Sequence, residues 1–294
     1  MLPNRSANGW IQDYRLLKSR NPKIICFVVE GSTDRDLFKS IIRNEFVHIE
    51  SFPPPRDTSA KENVINIAMT AEQNSIQYVY GFVDLDYDDF LGLKKNCKQL
   101  LYTNETSIEI EFLKSRCYHS FMKEALTKES FGAKRSDINL ILEIIRDECA
   151  KIGRMRIHAN RTFAKINFKS LKYDEFLDKN NVLNTDKLID FFVKQGWVYP
   201  HNKKGFKLFS EKISTDDNWK LCQGHDATAF LSILCKRQLL DCLNKDVERL
   251  QVRDGQTVEQ HLRKLFSPSI FLDTPLYKEV FMPILVTNNI TLGV

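Results

Sequence analysis

The sequence predicts an α/β fold: a parallel sheet in the first third of the chain, then a mostly helical part. Three observations carry this. The run Ile24-Ile25-Cys26-Phe27-Val28-Val29 is unbroken in apolar, often β-branched residues, the pattern of a strand buried on both faces. A second such run, Tyr78 to Val83, follows after two segments with helical spacing. Both runs end abruptly in acids, the first in Glu30-Gly31-Ser32-Thr33-Asp34 and the second in Asp84-Leu85-Asp86-Tyr87-Asp88-Asp89.

The elements follow in order. After the first strand, Ser32 or Thr33 is placed to cap a helix whose Leu37, Phe38, Ile41 and Ile42 fall on one face, with Asp34 and Asp36 near its positive end. His48 to Phe52 is a second strand, stopped by Pro53-Pro54-Pro55, which cannot continue a ladder. Lys61 to Gln73 is a helix with Val64, Ile67, Ala68 and Ala71 along one side, and Leu100-Leu101-Tyr102 is a short fourth strand. The order β-α-β-α-β implies parallel strands joined by right-handed crossovers. Beyond about residue 105 the segments Ile108 to Leu113, Tyr118 to Leu126, Ile138 to Ile152, Thr185 to Gln195, Asp226 to Leu243 and Thr257 to Phe266 read as helices. Gly196 is placed to end one of them, and Arg156 to Phe168 fits helix or strand. The sequence thus divides at 112/113, an α/β part over 1–112 and a mostly helical part over 113–294.

Composition bounds the function. With 294 residues, 43% of them hydrophobic, the chain supports a real core. No apolar run approaches the roughly 20 residues of a membrane span, and Met1-Leu2-Pro3-Asn4-Arg5-Ser6 lacks the apolar core of a signal peptide. A cytoplasmic protein is the expectation, with no membrane partner. The seven cysteines form neither CxxC nor Cys/His clusters, so free thiols are expected rather than zinc or disulfides. The net charge of +5 permits contact with a polyanion without requiring it. Lys151, Arg154, Arg156, Arg161, Lys165, Lys169 and Lys172, interleaved with Phe163, Phe168 and Tyr173, form the kind of strip that binds single-stranded nucleic acid. Arg154, Arg156, Arg161 and Lys165 are its expected contacts; a solvated face over ordinary core aromatics is the plainer alternative.

The acids carry the chemistry. In an open α/β sheet ligands bind beyond the carboxyl ends of the strands, where Glu30 and Asp84 stand. Asp86 and Asp88 extend the cluster. Acids held close repel one another unless a divalent cation neutralises them, and oxygen ligands select a hard ion such as Mg²⁺ or Mn²⁺. The plainer roles are a helix-dipole acid for Glu30 and loop acids for Asp88 and Asp89. Other acidic motifs fit less well. A haloacid-dehalogenase-type phosphatase wants Thr or Val after its second Asp, where Tyr87 and Asp88 follow. An EF-hand needs glycine where Asp89 stands and glutamate where Lys95 stands. A dinucleotide site needs more glycine than Glu30-Gly31-Ser32 offers.

Glu-Gly-x-x-Asp after a first strand and Asp-x-Asp after a later one resemble a Toprim domain, over roughly residues 20–110. The fold class is then a Toprim-like Rossmannoid parallel sheet. The resemblance implies that Glu30 is general acid/base or metal ligand and that Asp84 and Asp86 bind Mg²⁺. Thr106-Ser107-Ile108-Glu109-Ile110-Glu111 and Leu221-Cys222-Gln223-Gly224-His225-Asp226 narrow it to the Toprim proteins encoded beside ABC-type ATPases, the family of the PARIS anti-phage defence system. That resemblance implies a nuclease restrained by its ATPase, released by a phage trigger to cut host tRNA, and acting as a homodimer. Glu30, Asp84, Asp86 and His225 are then the expected catalytic residues, with Asp88 and Glu111 as further metal ligands. Glu109 and Glu111, two apart on a helix, are expected to point in different directions, one of them to solvent. Gly224 is expected to supply an unusual backbone angle, and Asp226 has a helix cap as its plainer role. The alternatives are a non-catalytic ATPase-binding sensor subunit and a Toprim nuclease acting on DNA.

Overall fold

A computed structural model describes residues 7–55, 58–239, 242 and 252–292. The chain runs through α1 (Ala7–Arg20), β1 (Ile25–Val29), α2 (Ser32–Ile41), β2 (Val47–Ser51), α3 (Ala60–Gln73), β3 (Val79–Val83), α4 (Asp88–Leu91) and β4 (Leu100–Tyr102). Helices follow: α5 (Ile108–Lys114), α6 (Arg116–Ala125), α7 (Lys128–Ala133), α8 (Arg135–Arg161), α9 (Thr185–Lys194), α10 (Lys203–Glu211), α11 (Gly224–Gln238), α12 (Gly255–Leu265), α13 (Pro268–Asp273) and α14 (Met282–Thr287). A π-helical turn, Leu276–Phe281, leads into α14. No described helix is long and apolar enough to cross a membrane.

Two compact units share this chain. The first runs to Leu85, takes in Lys94–Asn104 and resumes at Phe266; the second comprises Asp86–Leu93 and Glu105–Leu265. The sequence reading divides the chain once, at 112/113, whereas these units are interleaved. The reason is visible in the first of them.

The first unit holds a four-stranded sheet, all parallel, in the order β2-β1-β3-β4. Every residue of β1 is buried, as an unbroken apolar strand covered on both faces must be. On one face Cys26, Val28 and Val79 pack with Trp10, Ile11 and Tyr14 of α1 and with Val64, Ile67, Ala68 and Ala71 of α3. Gly81 allows α3 this close, because a Cβ there would lie 2.9 Å from Val64 Cγ1 and 3.0 Å from Ala68 Cβ. The other face is aromatic. Phe281 lies 5.3 Å from Phe27, 5.2 Å from Phe38 and 5.2 Å from Phe82, centroid to centroid, and Phe271 meets Phe281 at 5.4 Å. Large buried aromatic surface of this kind dominates core energetics. It ties the chain's last segment, which the sequence places in the mostly helical part, to the sheet.

Capping explains the local starts. Ser59 and Glu62 form a reciprocal capping box at α3. At α2 the N-cap is Gly31, with no side-chain cap, rather than Ser32 or Thr33. Gly196 has φ +73 after α9, the left-handed conformation that ends helices.

The second unit is helical. Its long helix α8 extends through Arg161, so the stretch from Arg156 that fitted helix or strand is helical at its start. Gly153 is internal to α8, and its reason is proximity: a Cβ there would lie 1.7 Å from the Leu221 carbonyl oxygen. The expected end of the Asp226 helix at Leu243 lies outside the described residues; helix is described from Gly224 to Gln238. All seven cysteines are free thiols, and burial pushes those of Cys26, Cys117 and Cys235 up to about 12.

The Gly153 contact gives a sharp expectation. Gly153→Ala puts a methyl group into backbone rather than into a movable side chain. Chemical denaturation should register a loss of about 3 kcal/mol or more, the upper end for overpacking. Unchanged stability would contradict the close approach of α8 to Leu221.

Candidate active site

Parallel pairing of β1 with β3 sets their carboxyl ends side by side, and each releases an acid there. Glu30 follows β1 directly and Asp84 follows β3 directly. The Asp84 backbone N–H donates to Glu30 Oε1 at 2.9 Å. Thr103, which follows β4, continues the edge: its N–H donates to the Val83 carbonyl at 3.1 Å and its buried Oγ1 accepts from the Leu85 N–H at 2.9 Å. Past the last rungs of the ladder, side chains thus take over the hydrogen bonds that backbone groups would otherwise lose. Glu30 and Asp84 are both half-buried.

The chain passes from the first unit to the second between Leu85 and Asp86. Within the second unit Asp86 has φ +49, a left-handed conformation that aspartate tolerates better than most residues. Its N–H donates to the Thr106 carbonyl at 2.7 Å, and its Oδ1 accepts from Gln223 Nε2 at 3.2 Å. The Thr106 hydroxyl donates in turn to the Cys222 carbonyl. Next to Asp86, the buried Tyr87 donates its hydroxyl to the Leu221 carbonyl at 3.2 Å. The Asp86-Tyr87 step, the Thr106–Glu111 motif and the Leu221–Asp226 motif are far apart in sequence, yet they are bonded to one another here. Asp88 opens the short helix α4.

The glutamates of α5 depart from expectation. Glu109 and Glu111 are 4% and 3% exposed, so neither faces solvent. Glu109 Oε1 accepts from Arg263 Nη2 at 2.7 Å. Burial raises the Glu109 pKa against the opposing pull of Arg263. Gly224 presses on this carboxylate: a Cβ would lie 2.3 Å from Glu109 Oε2 and from Ser107 Oγ. Glycine is required there by the close approach of α11 to α5, and not by an unusual backbone angle.

His225 is exposed over 66% of its side chain, and its Nδ1 donates to Glu259 Oε2 at 3.1 Å. Arg263 Nε donates to Glu259 Oε1 at 3.1 Å, so His225, Glu259, Arg263 and Glu109 form one chain of charges. The Glu259 hydrogen bond, helped by the Glu109 charge, raises the His225 pKa above its ordinary value despite partial burial. Glu259 is partly buried, which works against its charge, yet His225 and Arg263 hold its carboxyl below the usual range.

Asp226 is an internal anchor rather than a cap. Arg156 donates to it bidentately, Nε to Oδ2 at 2.9 Å and Nη2 to Oδ1 at 2.7 Å, and Tyr173 Oη donates to Oδ1 at 2.6 Å. The Arg156 guanidinium lies 4.4 Å from the Phe168 ring centroid, and its side chain is only 17% exposed. Burial disfavours this charge, but Asp226 outweighs that and holds the guanidinium above its ordinary value. Arg156 is therefore committed inside the second unit, and with it Phe168 and Tyr173, both buried. Arg154 donates to the Ile213 carbonyl at 2.9 Å and to Asn218 Oδ1 at 3.1 Å. Of the expected nucleic-acid contacts, Arg161 and Lys165 are the exposed ones.

The structure thus brings Glu30 to Asp84 and fixes Asp86 from Thr106 and Gln223. Among the described residues no group of three or more His, Cys, Asp or Glu side chains is arranged to hold a metal ion. The donor chemistry of Glu30 and Asp84, carboxylate oxygen in both, fits a hard divalent cation. Thr103, bonded to Val83 and Leu85, and Thr106 and Gln223, bonded to Asp86, are not among the site residues expected from the sequence. Thr106 and Gln223 both lie within motifs of the sequence, Gln223 beside the more conspicuous Gly-His-Asp. No family model matches the chain, and no curated protein matches it.

Two outcomes follow from this geometry. Arg156→Ala leaves Asp226 buried without its ion-pair partner, with Tyr173 alone among the described residues still bonded to it, and should cost about 3–5 kcal/mol in denaturation. A variant as stable as the parent would return Arg156 to the list of surface contacts. His225 stabilises the fold through a raised pKa, so its contribution is present below the ordinary value of 6.5 and lost as pH rises through the raised folded value. The Tm of His225→Gln should fall below that of the parent at about pH 6 and converge on it at about pH 9. A gap that widens with pH would contradict the Glu259 contact.

Proposed function

We propose that this protein is a metal-dependent endonuclease of the Toprim type. The observation that carries the reading is the Asp84 amide bonded to Glu30 at the carboxyl ends of adjacent parallel strands. Glu30 and Asp84 would hold Mg²⁺ or Mn²⁺, and the further ligands Asp86, Asp88 and Glu111 rest on the resemblance of the sequence alone. Such an ion, when bound, would supply polarisation of the phosphate and activation of the attacking water. Glu30 keeps one oxygen on the Asp84 amide, which fixes the orientation of the carboxylate. His225, held by Glu259 through Nδ1, would carry a proton through Nε2, a role that rests on the resemblance of the sequence. The resemblance of the sequence supports the rest: an anti-phage effector restrained by an ABC-type ATPase, active as a homodimer and cutting host tRNA.

The test exploits the hydrogen bond. Glu30→Gln retains an oxygen to accept from the Asp84 amide and removes only the charge. Mg²⁺-dependent cleavage by Glu30→Gln, and likewise by Asp84→Asn, should fall about 100-fold or more with Tm little changed. In cells, sequencing of cut ends should find tRNA ends with the parent and none with Glu30→Gln. Near-parental cleavage by Glu30→Gln would end the reading.

A further inference from the structure

The C-terminal end of α8 is closed by a Schellman arrangement, with the Ala164 N–H donating to the Ala159 carbonyl at 2.9 Å and the Phe163 N–H to the Asn160 carbonyl at 3.2 Å. The residue after such a helix cap adopts a left-handed conformation and is usually glycine. Here it is Phe163, at φ +55, with 90% of its surface exposed. A bulky aromatic in this conformation is strained and gains nothing from burial, an outlier of the kind that accompanies function.

Beside it is a cavity of about 760 Å³, within the range of ligand sites, lined by Phe90, His158, Arg161, Thr162, Phe206 and Phe209 among others. Thr162, one residue before Phe163, is part of that lining. Phe209 is 56% exposed and stacks on His158, with ring centroids 5.8 Å apart and planes 21° apart. Burial and the Arg161 charge lower the His158 pKa, so this ring presents a neutral aromatic face near neutral pH. Lys212, also lining the cavity, sits 5.3 Å from the Phe209 centroid. Arg161 is anchored by its bond to the Phe90 carbonyl at 2.7 Å and otherwise faces the solvent side. Exposed rings for stacking, with two cations at the same place, match a base and its phosphate.

We infer that this cavity and Phe163 form a stacking site for unpaired nucleotides of a single strand, with Phe209 and Phe163 as platforms and Arg161 and Lys212 as phosphate contacts. The proposal rests on the nuclease reading for its choice of polymer, but its site lies wholly in the second unit and its test needs no cleavage. Binding is measured by fluorescence anisotropy in EDTA, with labelled oligouridylate and oligoadenylate, a duplex of the same length, and AMP as competitor. Phe209→Ala should weaken single-strand binding about tenfold, the loss of one stacked base. Gly205→Leu, at a position whose added Cβ meets nothing nearer than 3.9 Å, should fill the cavity and weaken binding similarly. Arg161→Gln should lower the salt slope by about one. Phe163→Gly should weaken binding while raising Tm, because glycine relieves the strained position; a merely structural Phe163 would leave binding unchanged. Single-strand affinities equal across the parent and these variants would overturn the proposal. So would AMP binding as tightly as the oligonucleotides, which would assign the cavity to a free nucleotide. Loss of strand binding in these variants alongside uncut RNA in the parent would sink the nuclease reading and leave this site standing.

Discussion

Parallel pairing of β1 with β3 is the constraint on which the account depends. Two parallel strands that are neighbours must release their following residues at the same edge, so Glu30 and Asp84 are brought together by topology. The hydrogen bond from the Asp84 amide to Glu30 then fixes one carboxylate against the turn that carries the other. The sheet can hold this edge still because both of its faces are covered, by α1 and α3 on one side and by the Phe27, Phe38, Phe82, Phe271 and Phe281 cluster on the other. A carboxylate on such a rigid edge is oriented before any ligand arrives, which is where binding energy is best used.

The second unit shows the same economy by other means. Asp86 is in a left-handed conformation, donates its N–H to the Thr106 carbonyl and accepts from Gln223. Two of the closest approaches in the unit are glycine contacts, Gly153 on the Leu221 carbonyl and Gly224 on Glu109 and Ser107. Both involve the segment that supplies Gln223. Small residues there let backbone come near enough for the Tyr87, Thr106 and Gln223 bonds to close.

Much of the sheet was legible because a strand buried on both faces has no choice but to be apolar throughout, and Ile24 to Val29 could be read directly. The acids at the strand ends were legible for the same reason, since a carboxylate ending such a run has no packing role. Helix α1 escaped notice: its buried Trp10, Ile11 and Tyr14 are diluted by Asn8, Asp13 and Arg15. The helical pattern of α8 is legible only to Ile152, just before Gly153, where glycine serves a distant carbonyl rather than a helix end. The basic strip misled in part, because charge alone does not tell an exposed arginine from one like Arg156 that pairs with a buried carboxylate seventy residues away. The return of the last segment to the sheet is a long-range aromatic contact that no local pattern announces.

The most direct measurement is anomalous diffraction from crystals soaked in Mn²⁺. The account predicts a Mn²⁺ peak bonded to carboxylate oxygens of Glu30 and Asp84. Ordered Mn²⁺ elsewhere on the molecule with none at Glu30, or no site at saturating Mn²⁺, would contradict it.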